Sequence, residues 1–214
     1  MKIAIIGAGS VGTALGKSWA RAGHEIIFGV RDPASSNARA ASESAGSGAR
    51  AVTVAEAAAA GEIVVLATPW ETTEIAIEAA GGLAGKIVID CTNPLAYRNG
   101  ELGLAVGFDS SGGERVATWA PKAHVFKALN QVGYLAMEDA RFPDGFPAMF
   151  VAGDDAERKP IVLRLMTELG FEAVDAGPLR VSRLLEPYAM LWIHLAYNQG
   201  LGRDFAFSLL RRES

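Results

Sequence analysis

The stretch "IIGAGSVGTALG", residues 5–16, sets Gly7, Gly9 and Gly12 in the spacing G-x-G-x-x-G immediately after a short apolar run that begins at Lys2. The residues after the turn have helical spacing, with Val11, Leu15 and Trp19 at four-residue steps on one face. Strand, glycine turn, helix is the context in which the pattern carries chemistry. Gly7 permits the tight turn, Gly9 lets backbone approach a diphosphate, and Gly12 allows the helix to pack closely on the strand. An anion there meets unpaired N–H groups and the positive end of the helix dipole. The loop Gly7, Ala8, Gly9, Ser10, Val11 and Gly12 is therefore the expected diphosphate cradle of a dinucleotide.

Outward from this turn, apolar runs and helical segments alternate. "EIIF", "EIVVLA" and "KIVID" read as strands, with helices expected over 10–22, 34–45, 55–60 and 71–80. The strands are continuous apolar runs, which signifies burial on both faces and a parallel sheet between helices. The strict rotation of strand and helix predicts an α/β fold with a doubly wound parallel sheet. Residues 93–113, rich in Gly, Ser and Asn, read as a long loop. "HVFKAL", "PAMFVAG" and "FEAVDAG" read as further strands, 131–147 as irregular and 154–169 as an amphipathic helix. Residues 181–212 read as mostly helical, broken near Pro187 and at Gly200-Leu201-Gly202.

Composition narrows the function classes. The chain has 214 residues, half of them hydrophobic, with a net charge of −4 and a pI near 5.5. Nucleic-acid binding would call for a surplus of Lys and Arg. Three histidines and one cysteine leave no metal cluster to propose, and Cys91 alone forms no intramolecular disulfide, as suits a reducing compartment. No signal peptide and no membrane span is expected, which makes the cytoplasm the default location.

Ligands of open α/β sheets bind beyond the carboxyl ends of the strands. Thr68, Pro69 and Trp70 fall there after one strand, Asn93 and Pro94 after the next, and Asn130 after the sixth; the first five are candidate cofactor contacts. Cys91 reads as a small side chain packed at a strand end. In "HEIIFGVRDP" the end of the second strand falls on Val30, which cannot hold a ribose 2′-hydroxyl. Arg31 comes next, with a guanidinium suited to a 2′-phosphate, favouring NADP. Asp32, about 20 residues past Gly12, competes as a 2′-hydroxyl ligand, although before Pro33 it also reads as a cap for the next helix.

Together "IAIIGAGSVGTALG", "GHEIIFGVRDP", "VVLATPWE", "KIVIDCTNPL", "VFKALN", "AGDD" and "DAGPLRVSRLLEP" resemble the F420-dependent NADP oxidoreductase family, which is related to the reductase domain of the STEAP metalloreductases. The resemblance implies a Rossmann domain over 1–140 that binds NADP(H). It also implies a small C-terminal α/β extension over 141–214, ending in long helices and serving substrate binding and dimerisation. It further implies a homodimer, and hydride transfer between NADPH and coenzyme F420 or a similar flavin-like, small-molecule acceptor. The family's serine–arginine pair for the 2′-phosphate falls on Val30 and Arg31, so the serine is missing.

On the last helix Glu186, Met190, His194 and Asn198 succeed one another in four-residue steps. Related β-hydroxyacid dehydrogenases use a Lys-x-x-x-Asn pair on such a helix, and His194 takes the lysine-like place. A buried, satisfied histidine is the simpler expectation. As a proton donor, His194 would serve an alternative activity, reduction of a small carbonyl or imine. A non-catalytic NADP(H)-binding redox sensor is the other alternative. Tyr188, Trp192, Phe205 and Phe207 are expected in the core or a dimer contact.

Overall fold

The computed structural model describes residues 1–46 and 48–212. The expected rotation is realised: β1 (Lys2–Ile6), α1 (Ser10–Arg21), β2 (Glu25–Val30), α2 (Ser36–Ala45), β3 (Arg50–Thr53), α3 (Val54–Ala60), β4 (Ile63–Leu66), α4 (Trp70–Ala79) and β5 (Ile87–Asp90). Ile3 to Ile6 of β1 and every residue of β4 and β5 are buried, without alternation. Strands of this kind need cover on both faces, which the helices supply. On α1, Leu15 and Trp19 turn into the core, and Trp19 Nε1 donates to the Leu165 carbonyl at 3.2 Å. The short alanine helix α3 is started by a capping box between Thr53 and Glu56.

Residues 93–113 are not a structureless loop. β6 (Leu95–Arg98) and β7 (Glu101–Leu104) pair antiparallel around Asn99 and Gly100, which have φ of +53° and +84°. Two successive positive φ values are the requirement of a tight hairpin turn, and Asn-Gly meets it at little cost. After the hairpin come α5 (Gly112–Trp119), β8 (His124–Lys127), α6 (Tyr134–Glu138), β9 (Ala148–Gly153), α7 (Lys159–Glu168), β10 (Glu172–Gly177), a 3-10 turn (Leu179–Val181) and α8 (Ser182–Tyr197).

Eight strands form one sheet in the order β3-β2-β1-β4-β5-β8-β9-β10. Neighbours run parallel except β8 and β9. The winding reverses between β1 and β4, so the glycine turn stands at the switch point. Strands β9 and β10 extend the same sheet across residue 140, the boundary expected between the two parts of the chain. The last two residues of the expected extension, Glu213 and Ser214, lie outside the described residues.

The C-terminal helical expectation needs correction. α8 runs unbroken through Pro187, which lies near its start, where the missing amide costs only the helical bond to the Arg183 carbonyl. Beyond Tyr197 no helix forms as far as residue 212. Gly200 and Gly202, at φ of +73° and +78°, turn the chain back. The returning tail stacks Phe205 on Trp192 at 5.1 Å and sets Phe207 tilted against Tyr188 at 5.0 Å. The Ala148 amide of β9 donates to the Phe207 carbonyl at 2.9 Å.

Candidate active site at the carboxyl edge of the sheet

The turn after β1 is shaped by what cannot fit in it. Gly7 has φ +114°, and a Cβ there would stand 2.6 Å from the Ala67 carbonyl oxygen. A Cβ on Gly12 would meet the Gly7 oxygen at 2.1 Å. Gly9 differs: a Cβ placed on it would have nothing within 4 Å, so it faces open space. It is also the N-cap of α1, with no side chain bonded to the helix's first amides and no acidic residue in the first turn. The unpaired N–H groups of a 12-residue helix therefore point at an open cradle. That arrangement fits a dinucleotide diphosphate.

At the end of β2, Val30 packs against the core and Arg31 is exposed. Asp32 spends its carboxylate locally, accepting the Ala34 amide at 2.9 Å. The helix cap expected of Asp32 belongs instead to Ser35, whose hydroxyl accepts from the Ala38 amide at 3.3 Å. Helix α2 starts two residues later than expected, which lets Asp32 close the preceding turn.

Beyond β4, Thr68 Oγ1 is 2.9 Å from Thr73 Oγ1 and Pro69 is the N-cap of α4. Trp70 packs on Trp119 of α5 at 5.2 Å and lies against Gly112, so close that a Cβ there would stand 3.1 Å from its ring; it does not line the cavity over Asn93 and Asn130. Beyond β5, Pro94 is buried and its carbonyl accepts the Ala105 amide at 2.6 Å, closing the base of the hairpin. Asn93 and Asn130 are locked together: Asn93 Nδ2 donates to the Asn130 carbonyl at 3.0 Å, and Asn130 Nδ2 donates to Asn93 Oδ1 at 3.3 Å. Asn130 Nδ2 also reaches the Leu185 carbonyl on α8 at 3.2 Å.

Over this pair opens a cavity of about 570 Å³. Val11 of the glycine helix stands on one side, the hairpin residues Tyr97 and Leu102 on another, and Tyr134, Trp192 and Tyr197 complete an aromatic wall. Asn198 and Arg203 also line it, the guanidinium lying 5.5 Å over the Tyr134 ring. The cavity thus joins the expected diphosphate cradle to α8 and the tail.

No histidine reaches this cavity. His24 precedes β2 and His124 begins β8, both at the opposite, amino edge of the sheet, where they bond Glu168 and Asp155. His194 is exposed, contrary to the expectation of burial, with Nε2 at 3.2 Å from Gln199 Nε2, and it does not line the cavity. Four-residue steps advance about 40° past a full helical turn each. The stripe that begins at Glu186 therefore winds from core to solvent: Glu186 is buried, His194 exposed. Cys91 is buried, and its thiol is pushed far up by desolvation, with the neighbouring Asp90 charge adding to the effect and Lys127 opposing it. It is no nucleophile. Among the described residues no group of His, Cys, Asp or Glu is placed to hold a metal ion.

One cluster escaped the sequence reading. Lys127, at the end of β8, is fully buried with Asp90 and Glu186. Its Nζ lies 2.9 Å from Asp90 Oδ2 and 3.0 Å from Glu186 Oε1, and donates to the Thr92 carbonyl at 2.6 Å. Asp90 Oδ1 accepts the Thr92 amide and hydroxyl at 2.9 and 2.7 Å. Glu186 accepts the amides of Gly112 and Gly113 at 2.9 and 3.0 Å, at the positive end of α5. Burial by itself would lower the Lys127 pKa, but the two carboxylates outweigh it and hold the ammonium charged. The signal was a lysine inside the apolar run "HVFKAL".

Residues 2–94 match the model of the family described as NADP oxidoreductase, coenzyme F420-dependent. Over 209 residues the chain is 30% identical to an F420-dependent NADP reductase of Methanothermobacter thermautotrophicus, spanning 91% of this chain and 89% of that one. A reductase of the same description from Methanocaldococcus jannaschii is 33% identical over 144 residues, 65% of this chain and just under two thirds, 64%, of that one. Rat metalloreductase STEAP3 is 27% identical over 188 residues, covering 86% of this chain but only 36% of the larger protein. A crystal structure from Arthrobacter sp. FB24, assigned by inference as an F420-dependent NADP reductase, superposes with a TM-score of 0.90 at 35% identity over 99% of this chain and 100% of that one. Matched along nearly its whole length in sequence and in backbone course, the chain belongs to the F420-dependent NADP oxidoreductase family of oxidoreductases.

Proposed function

We propose that this chain transfers hydride between NADPH and a planar, flavin-like acceptor, coenzyme F420 or a chemical relative of it. The observation that carries the reading is the make-up of the cavity wall. It sets the rings of Tyr97, Tyr134 and Tyr197, the rim of the buried Trp192 and the amide of Asn198 around the interlocked Asn93–Asn130 pair, with no imidazole, thiol or ammonium group in the lining. Aromatic faces accept a flat ring, and amides orient ring carbonyls and N–H groups. When bound, the dinucleotide supplies the hydride; the protein's work is alignment and exclusion of water, with no protein nucleophile. Reduction of the acceptor also takes up one proton, which solvent provides.

The diphosphate is assigned to the amides of Ser10, Val11 and Gly12, and the 2′-phosphate to Arg31, making the cofactor NADP(H). Thr68, Pro69 and Asn93 are assigned to the ribose and nicotinamide end. Reduction of a small carbonyl or imine would need a proton donor beside the substrate; His194, the residue expected for it, lies outside the cavity, so that role would fall to a phenol of Tyr97, Tyr134 or Tyr197. We assign the protein to the cytoplasm on the single cysteine, which suits a reducing compartment. Among the described residues no helix is long and apolar enough to cross a membrane. A homodimer would cover Leu184 and Leu191, apolar side chains on one face of α8 that stand exposed.

The test is direct. Purified protein is mixed with NADPH and, separately, oxidised F420, flavin mononucleotide or a ferric chelate, and absorbance is followed. Loss of the F420 band with matching NADPH oxidation is expected. Tight NADPH binding with no transfer to any acceptor would mark a binding protein instead.

A further inference from the structure

Lys127 touches no part of the cavity, yet the two walls of the cavity meet at its ammonium group. One wall is the strand-end floor, where Lys127 Nζ holds the Thr92 carbonyl at 2.6 Å, one residue before Asn93. The other is α8, held through Glu186 Oε1 at 3.0 Å, two turns before the lining residues Trp192 and Ile193. The Asn130–Leu185 hydrogen bond ties the same two walls a second time. Helix α5 joins them, since Gly112 and Gly113 donate to the same Glu186 carboxylate. A Cβ on Gly113 would stand 2.6 Å from Ser182 Oγ, so the close seating of α8 also depends on a missing side chain.

Stability alone does not account for three charges here. Well-packed apolar side chains in place of a buried ion triad are often neutral or stabilising. What such a triad supplies is geometry: each ammonium and carboxylate position is fixed by directional bonds.

We propose that Lys127, with Asp90 and Glu186, is a positioning residue that fixes the separation between the strand-end floor and α8, and thereby where the nicotinamide end of the coenzyme lies in the cleft. The inference rests on the proposed role of the cleft as the hydride-transfer site. Hydride transfer tolerates little displacement, since about 1 Å of misplacement is worth about a hundredfold in rate.

The test uses Lys127→Met/Glu186→Gln, which keeps the net charge of the cluster while cutting α8 loose, and Glu186→Gln alone, which leaves the Lys127–Asp90 pair intact should the double variant fold poorly. Affinities for NADPH and for 2′,5′-ADP are measured by calorimetry; the second ligand reports only the adenine end, which lies away from the cluster. NADPH is expected to weaken about tenfold, the equivalent of one lost orienting hydrogen bond, with 2′,5′-ADP unchanged. In stopped flow, the primary isotope effect from 4-deuterated NADPH should rise as hydride transfer slows. Equal losses for both ligands would mean a merely structural role, and no loss for either would mean the cluster does not set the cleft; each overturns the proposal. If the wild-type protein itself bound no NADPH, the proposed function would fall, and this inference with it.

Discussion

The turn after β1 and the floor after β5 share one edge of the sheet, yet they are held by opposite means. At the turn, Gly7 and Gly12 keep the backbone in place because a side chain on either would collide with a carbonyl oxygen. At the floor, three fully buried charged side chains hold four segments together, with every polar atom bonded. The first device is local in sequence and acts by exclusion; the second joins residues from Asp90 to Glu186 and acts by directed attraction. Damage should therefore look different at each. An intruding methyl group distorts the turn, whereas a missing partner at the floor leaves an uncompensated charge in the core.

The harshest way to probe this contrast is Lys127→Met. It strands two carboxylates in a dry site, and breaking a buried pair in this way costs about 3–5 kcal/mol. Urea titration should show that loss, and the further change Glu186→Gln should restore a substantial part of it. A single variant as stable as the wild type would mean that water reaches the cluster.

At the turn, Gly12→Ala should lower stability by about 1–3 kcal/mol, the range for overpacking, and abolish nucleotide binding. Gly9→Ala separates the two properties. Its Cβ meets nothing in the protein, so the melting temperature should hold while nucleotide binding is lost, because the methyl group enters the space assigned to the diphosphate. If Gly9→Ala bound NADPH normally, the cradle would not be where the coenzyme lies.

That difference in sequence range also decides how much is legible in the sequence. The spacing of Gly7, Gly9 and Gly12 is a local pattern whose physical meaning is complete within one turn. The continuous apolar strands likewise declare their burial on both faces. The cleft is another matter, because Asn93, Tyr134, Trp192 and Arg203 become neighbours only after the sheet has formed. The hairpin at Asn99-Gly100 is signalled by its turn residues but obscured by the weak alternation of "LAYR" and "ELGL". The four-residue stripe on α8 misleads over His194 because a step of four drifts round the helix, carrying Glu186 and His194 into different surroundings.

Arg31 offers a milder test at the turn's side of the cleft. A guanidinium–phosphate contact is worth about 1.5–3 kcal/mol, so Arg31→Ala should weaken NADP⁺ by about ten- to a hundredfold. Binding of NAD⁺, which lacks the 2′-phosphate, should be unchanged. Equal losses for the two coenzymes would remove the assignment, since Val30 offers no polar group to share it.

The smallest effect belongs to a third kind of contact, the half-exposed pair that ties α8 to α5 beside the buried triad. Arg183 donates to Glu114 through Nε at 2.8 Å and Nη2 at 2.7 Å, a two-pronged pair with side chains 37% and 27% exposed. The guanidinium hydrogen bonds hold the Glu114 carboxyl below its ordinary range; partial burial opposes them and the Ser111 hydroxyl assists. Because the folded value lies below the unfolded one, the folded state binds this proton less readily. The pair's contribution is therefore complete above the ordinary Glu value of about 4.3 and disappears as pH falls through the lower, folded value. Solvent screening keeps it small, about 0.2–1 kcal/mol. A double-mutant cycle with Glu114→Gln and Arg183→Met at neutral pH should return a coupling in that range, diminished by salt and absent once Glu114 is protonated. The buried triad should show no such salt dependence, because ions cannot enter between groups with no exposed surface. A surface pair that proved as strong and as salt-insensitive as the triad would mean that burial is not what distinguishes the two, and that α8 is held from outside as firmly as from within.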